Sequence, residues 1–515
     1  MPQPLTDDPP SQATAPATAP ATVTTTVTAT APATVTATAH TPASVPAAHA
    51  PVAAAAVRGT GGVKGVDPAL VVILGGVCAA LHVGKLPPAI PALQQALGLS
   101  LVQAGFLLSM VQLAGMCAGL AFGALADGLG ARRSMLVGLV VLAVASAAGA
   151  GATTAPWLMA LRASEGFGFL LVVLAAPALV RRLVAPERLS LMLGLWGAYM
   201  PLGTTLALLG GPLLIGALGW PAWWAALSVL SAAMAIWLAR RVPAPSPAAV
   251  APQAQQARQP GSAPVAPQPG ASIAAQTLGS MGRAFGALRR QLPITLRAGG
   301  PWLLAVAFAV YSGQWLAVIG FLPTVYAAAG VAPASAGLLT ALVAAANMAG
   351  NVVAGRLLHR GARPVRLLRV GYTTMMLAAL VAFAPWAWPG AAAAVGAVGG
   401  PAADATAWVR YAAALAFSGV GGLVPATLFT LAVPATPRAG SLSSTAGWMQ
   451  QWSAAGQFFG PPLVAWVAAA VGGWHLTWVA TGACALAGLA LSAGIARVVA
   501  LGTQGAPVGA RAPRS

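Results

Sequence analysis

The sequence predicts an all-α membrane protein, with twelve transmembrane helices forming two pseudo-symmetric six-helix bundles. Three observations carry this. The 515 residues are 58% hydrophobic and only 6% charged, with a mean hydropathy of +0.80, whereas a soluble domain carries about 25% charged residues. From residue 67 onward the chain divides into apolar stretches that each approach or exceed the length a helix needs to cross the hydrocarbon core, about 20 residues. The basic residues then fall in every second connection between those stretches.

Residues 1–66 are low-complexity Ala, Thr, Pro and Val without a hydrophobic period, and are expected to be a disordered tail. They lack the basic start of a secretory signal: Asp7 and Asp8 come first and Arg58 is the first basic residue. The N-terminal bundle, 67–239, has spans expected near 68–92, 101–122, 134–153, 156–180, 189–215 and 221–239. A linker, 240–298, opens rich in Pro, Ala and Gln. At its end Leu278, Met281, Phe285, Leu288 and Leu292 recur by three and four with Arg283, Arg289 and Arg290 between them, the pattern of an amphipathic helix on an anionic membrane surface or of a loosely helical linker. The C-terminal bundle, 299–499, has spans near 301–328, 335–358, 366–389, 407–433, 442–470 and 475–498. Residues 500–515 are a second disordered tail.

Charge fixes the expected orientation. With the N-terminus inside and twelve spans alternating, 23 of the 26 Lys and Arg lie on the inner side, against Arg410 alone outside, near Asp404. A missed or extra helix would scramble this separation. Both termini are therefore expected in the cytoplasm of a bacterial inner-membrane protein. The net charge of +19 is then mostly topology, and no nucleic-acid partner is expected.

The halves repeat. Gly123-Ala-Leu-Ala-Asp127 corresponds to Gly355-Arg-Leu-Leu-His359, and Ala104-Gly105-Phe-Leu to Ala336-Gly337-Leu-Leu. Glu165-Gly166-Phe-Gly168 corresponds to Ser418-Gly419-Val-Gly421, and Gly219-Trp220 with Trp224 to Gly473-Trp474 with Trp478. Two parallel six-helix repeats suit a transporter that rocks about a midplane site.

The stretch Gly123-Ala-Leu-Ala-Asp127-Gly-Leu-Gly130-Ala-Arg132-Arg133 resembles the loop signature of the major facilitator superfamily, between the second and third spans. A weaker copy lies at Gly355–Arg363, and Arg162-Ala-Ser-Glu165-Gly166 resembles the fourth-span element of that family. Gly128 stands where the family often has a basic residue, and His359 where the first copy has Asp127. The resemblance implies a cytoplasmic gate of Gly123, Asp127, Gly130, Arg132, Arg133, Gly355, His359 and Arg360. Its glycines would let helix ends approach closely, and Asp127 would pair with the arginines. It also implies that the first and fourth spans line a central cavity. For Arg132 and Arg133 taken separately, simple positive-inside anchoring is the plainer account.

Ionisable residues inside spans are costly and mark function. Lys85 lies about 26 Å from the inner end of its span, Arg162 about 27 Å and Glu165 about 23 Å, at 1.5 Å per residue, so two separate spans place them at one depth. Arg162 and Glu165 are i,i+3 and share a helix face. Their repeat counterparts, Leu415 and Ser418, are uncharged, which points to substrate chemistry rather than scaffold. The set sums to +1, which favours a small anion, and Glu165 is the expected coupling carboxyl. His82, Trp196, Tyr199, Gln314 and Gln450 complete the expected substrate and proton site, with Asn347 and Gln451 as further polar candidates.

The function expected is proton-coupled uptake of a small anionic solute by alternating access, with no cofactor or metal, in a monomer. Lys85, the Arg-x-x-Glu-Gly-x-Gly element and the Gly/Pro-rich fifth span resemble the cyanate/nitroimidazole-type branch. A multidrug/proton antiporter is the alternative, although Gly197-Ala-Tyr-Met-Pro201-Leu-Gly203 lacks the Gly before Pro that such exporters carry. Enzyme chemistry is not expected. No His-Glu-x-x-His, embedded Gly-x-Ser or phosphate-cradling Gly/Lys loop occurs, and Cys78, Cys117 and Cys484 are too scattered to hold a metal or a disulfide framework.

Overall fold

The computed structural model describes residues 66–117, 119, 130–244, 286, 289–384 and 401–504, and every element among them is helical. Ten helices are long and apolar enough to cross a membrane, and Leu101–Cys117 is a shorter apolar one. The 56-residue stretch Pro186–Arg241 is two helices, because Gly219 leaves the helical region at φ 82° and ψ 167°. Thr204 meets Gly84 while the Trp223 indole bonds the carbonyl of Lys85. A continuous helix would hold those two residues roughly 28 Å apart, so the chain doubles back.

Twelve spans result: α1 (Pro68–Leu97), α2 (Leu101–Cys117), α3 (Ala131–Ala150), α4 (Ala155–Leu183), α5 (186–218), α6 (220–241), α7 (Gly299–Ala328), α8 (Pro333–His359), α9 (Pro364–Phe383), α10 (Ala405–Ala435), α11 (Leu442–Val471) and α12 (Trp474–Ala500). Local chemistry sets their ends. Asp67 caps α1 by accepting from the Ala69 N–H at 2.9 Å, Ser100 and Gln103 form a capping box on α2, and Ser441 caps α11. Proline opens α8 and α9, where its missing N–H has no helical partner to lose. α1 runs five residues beyond its expected end, at 97 rather than 92, and turns through a short 3-10 segment at Pro87–Ala89, because Pro87, Pro88 and Pro91 cannot donate to the helical ladder.

The packing repeats under a shift of six helices. The pairs α1·α5, α1·α6, α2·α4, α3·α4 and α3·α6 have the counterparts α7·α11, α7·α12, α8·α10, α9·α10 and α9·α12. Across the halves, α2·α11 mirrors α8·α5. The residues of these contacts are those of the sequence repeat. A Cβ on Gly105 would meet Pro462 Cα at 2.9 Å, and one on Gly337 would meet Leu208 O at 2.5 Å and Pro212 Cγ at 2.6 Å. Gly166 lies on the Val111 backbone, and Gly350 on the Gly419 carbonyl. Lipid tails offer little hydrophobic drive between helices, so close backbone approach over small residues is what holds such bundles. The outer faces stay apolar: Val137, Val140 and Val144 of α3 are 44%, 50% and 63% exposed.

One end of the molecule is basic. Arg132 at the start of α3 donates from Nε to Val242 O and from a terminal nitrogen to Ala239 O, both at 2.7 Å, and Arg182 donates to Pro243 O at 3.2 Å. These cations sit on the C-terminal carbonyls of α6, where a helix end is electronegative. At the opposite end the halves close on each other. Leu81, Leu86, Ile90, Leu107 and Leu108 of the first half form one buried cluster with Ala317, Phe321, Val464 and Ala465 of the second. Residues 1–65 and 505–515, most of the linker and the residues Leu278, Met281, Phe285 and Leu288 lie outside the described residues; 289–297 is helical, and 500–504, expected to belong to the disordered tail, continue the last helix.

Candidate functional site

The three charged residues expected at one depth, Lys85, Arg162 and Glu165, do meet, and His82 joins them. Lys85 ends the straight part of α1, Arg162 and Glu165 stand one turn apart on α4, and His82 is one turn before Lys85; each is at most 1% exposed. Glu165 is the centre. Lys85 Nζ donates to its Oε1, and Arg162 donates to its Oε2 at 2.5 Å. The rest of the lattice fixes the cations. Lys85 Nζ also donates to Ser146 Oγ of α3 at 3.0 Å, which in turn donates to the Trp224 carbonyl of α6. The ammonium lies 4.5 Å from the centre of the Trp224 ring, a cation–π distance. Arg162 donates to the His82 carbonyl at 2.7 Å. His82 Nε2 is 2.8 Å from Ser231 Oγ of α6, which also contacts Cys78 Sγ at 3.5 Å. His82 Nδ1 is 3.7 Å from Glu165 Oε1 and has no hydrogen-bond partner. With Lys85, Arg162 and Glu165 ionised, the cluster carries +1.

A cavity of about 1220 Å³ lies between the halves. It reaches from the basic end, where Arg356, Ser441 and Ser444 line it, to Gln112, Gly166, Trp315 and Gln457 in the interior. Apart from Arg356, its polar side chains are neutral amides and hydroxyls. Gln112 donates to Gln457 at 3.0 Å across the halves, Gln451 donates to the Met116 carbonyl at 2.9 Å, and Asn347 donates to Tyr311 Oη at 2.8 Å and to the Ser418 carbonyl at 2.9 Å. No Asp or Glu lines the cavity among the described residues, and Arg356 is the charged residue in its wall. Phe169, Phe308, Phe429, Met200 and Met348 supply much of the remainder.

Tyr199 and Gln450 lie in this wall, as do Asn347 and Gln451. His82, Lys85, Arg162, Glu165, Trp196 and Gln314 do not. α4 reaches the cavity through Gly166 and Phe169, whereas no described residue of α1 does, which corrects the expectation that both helices line it. The reason is packing: the His82–Lys85 face of α1 is taken up by α3, α4 and α6. Glu165 adjoins Gly166 in sequence, but successive helical residues diverge by about 100°, which turns the carboxylate into the bundle. Trp196 stacks on Tyr199 at 4.2 Å and covers Gly76 of α1. Gln314 is 2% exposed and neither amide atom has a partner.

Of the expected gate, Gly123 and Asp127 lie outside the described residues, so any pairing with them does too. Gly130 adopts φ 83° in the α2–α3 connection, Arg132 holds the end of α6, and Arg133, His359 and Arg360 are exposed. Gly355 was expected to admit a close helix, yet nothing lies within 4 Å of its Cβ position. Toward α10 the close glycine of α8 is Gly350, against Gly419 and Gly422. The residues that sequence reasoning passed over are Ser146, Ser231, Gln112 and Gln457. Serine and glutamine in apolar helices carry no signal of partner, and the α2·α11 pairing that unites Gln112 with Gln457 is a tertiary fact.

A helical bundle repeated about a central cavity, with a buried charge cluster in one half, is the architecture of a membrane transporter. The model of the Major Facilitator Superfamily matches residues 72–409, and the chain belongs to that family. No curated protein matches the sequence. Among solved structures it is similar to a D-xylose–proton symporter, at 15% identity and TM-score 0.58 over 83% of this chain and 96% of that one. It is also similar to a partially occluded inward-open form of the xylose transporter XylE from E. coli, at 15% identity and TM-score 0.54 over 84% and 98%.

Proposed function

We propose that this chain is a secondary active transporter that moves a small anionic solute inward by alternating access, coupled to protons through the His82–Lys85–Arg162–Glu165 cluster. The observation that carries the reading is the juxtaposition of a cavity with no acidic side chain among the described residues and a sealed cluster of net positive charge beside it. An intramembrane charge is retained against a penalty of several kcal/mol only where function or pairing requires it, and here the whole cluster sits in one half. One structural neighbour is a D-xylose–proton symporter, which agrees with proton coupling. The solute would meet Tyr199, Asn347, Gln450 and Gln451 in the cavity and Arg356 at its mouth. The basic end is cytoplasmic in this reading, which places both termini inside a bacterial inner membrane, and the protein acts as a monomer. The lysine of α1 and the Arg-x-x-Glu-Gly-x-Gly element of α4 support a position near the cyanate/nitroimidazole-type branch.

A second reading, drug/proton antiport, is favoured by the aromatic and methionine wall, since such surfaces adapt to varied amphipathic solutes. One experiment separates the two. Purified protein is screened by thermal shift against small carboxylates and inorganic anions and against amphipathic cations, and the hits are taken to proteoliposomes. Stabilisation by anions, lost in Arg356→Ala, with uptake that loses its pH dependence in Glu165→Gln, supports the anion reading. Stabilisation by cations alone, or uptake in Glu165→Gln that follows pH as the wild type does, overturns it.

A further inference from the structure

We propose that His82 Nδ1 is the atom of the buried cluster that accepts the coupling proton, with Glu165 serving as its counter-ion; this rests on the proton-coupled reading above. Glu165 is already bound on both oxygens, by Lys85 on one and Arg162 on the other. Two hydrogen-bonded cations keep a carboxylate in its acceptor-only, ionised form. His82 is placed otherwise. Its Nε2 is engaged with Ser231, which fixes the ring, and the ring then aims Nδ1 at Glu165 Oε1 from 3.7 Å with no partner of its own. Ser231 Oγ can accept from or donate to Nε2, and in the tautomer with Nε2–H donating, Nδ1 carries a lone pair facing a carboxylate oxygen, unsatisfied at a fully buried position. Adding a proton to that lone pair converts neutral imidazole to imidazolium and creates an N–H donor aimed at Oε1. Releasing the proton restores the present arrangement.

Glu165 and Arg162 face the ring from α4, Lys85 and Cys78 from α1 itself, and Ser231 from α6, while α3 offers Ser146 to Lys85 and α5 packs on α1 at Val77, Ala80 and Gly84 through Gly203 and Thr204. Protonated His82 is therefore a third cation competing for the oxygen that Lys85 holds. Lys85 is also the residue through which the cluster touches the closed end of the molecule. It caps the straight part of α1, its carbonyl is held by Trp223, and Leu86, Ala89 and Ile90 directly after it belong to the cluster that joins the halves. Loosening Lys85 from Glu165 loosens that segment. The proton on His82 thus favours the state in which the sealed end opens, and its loss favours the state seen here. A ligand shifts such an equilibrium only by its differential affinity for the two states, and the competition for Oε1 supplies the difference.

The test needs no solute. Full-length protein in lipid nanodiscs is followed by hydrogen–deuterium exchange at about pH 7.5 and about pH 5.5, the range histidine spans, and each variant is compared with wild type at the same pH so that intrinsic exchange cancels. Peptides covering 101–109 and 461–468 report the sealed end. The expected result is severalfold faster exchange there in wild type than in His82→Gln at the lower pH, and equal exchange at the higher. An equal response to acid in both proteins overturns the proposal. Should His82→Gln fail to fold, Ser231→Ala keeps the imidazole and frees the ring. Its acid response is then expected at a displaced midpoint, and an unmoved midpoint overturns the assignment. Because no solute is added, failure of every anion in the thermal-shift screen would leave this result standing, so the two readings fail separately.

Discussion

Glu165 shows what a single buried carboxylate needs in order to persist. It accepts from Lys85 and Arg162, and each cation has further partners in Ser146, the Trp224 ring and the His82 carbonyl. Breaking one member leaves the others desolvated and uncompensated, which costs about 3–5 kcal/mol for a buried pair. Lys85→Met is therefore expected to lower the unfolding temperature markedly, read by tryptophan fluorescence on heating. Lys85→Met combined with Glu165→Gln is expected to lose less than the two singles summed, because residues in one network are not additive. Additive losses would show that the cluster does not act as a unit. At this scale the sequence was informative about Lys85, Arg162 and Glu165, since charge in an apolar span is conspicuous and depth follows from counting 1.5 Å per residue. It was silent about direction around the helix axis, and so about the turning of Glu165 away from the cavity.

At the scale of helices, the contacts between halves rest on glycine and proline. Gly105 of α2 meets Pro461 and Pro462 of α11, and Gly337 of α8 meets Leu208 and Pro212 of α5. These are equivalent positions of the repeat, and both lie where the two halves must part if access alternates. Gly337→Leu is expected to wedge this seam. Overpacking of about 1–3 kcal/mol tips a two-state balance by roughly 5–150-fold. The measurement is hydrogen exchange over 205–214 and 333–340, which should rise while the protein stays folded. Gly355→Leu, at a glycine with open space around it, should change neither exchange nor stability. Equal effects of the two substitutions would sink the wedge argument. The helices themselves were legible because apolar length and the alternation of basic connections can be read along the chain. The pairing of Gly105 with Gly337 was visible as a repeat. Which helix each would touch was not, because no local residue encodes its distant partner, and Gly355 misled for that reason: its place in a repeated motif said nothing about its neighbours.

For the molecule as a whole, the charges divide into two populations with different work. The arginines at the basic end bind helix termini or face outward, as Arg132 does with Ala239 and Val242; their grouping followed from their positions along the sequence, whereas the partners of Arg132 did not. The buried cluster is the other population, and its asymmetry between halves came from comparing Glu165 with Ser418. In the structure Ser418 has become part of a neutral network, accepting from the Trp315 indole at 3.0 Å. That asymmetry has an electrical consequence. A net positive charge buried at Lys85, Arg162 and Glu165, with the uncharged Leu415 and Ser418 at the equivalent places of the other half, would be displaced within the membrane field if the halves change their tilt, whether or not solute is present. One elementary charge crossing the full field corresponds to about 2.3 kcal/mol per 100 mV, and a partial displacement to a proportionate fraction. Proteoliposomes on a capacitive electrode should therefore show a transient charge movement on a pH jump without solute, and Lys85→Met should shrink it. The resting balance between the two faces of this protein would then be set by the voltage of the membrane it occupies.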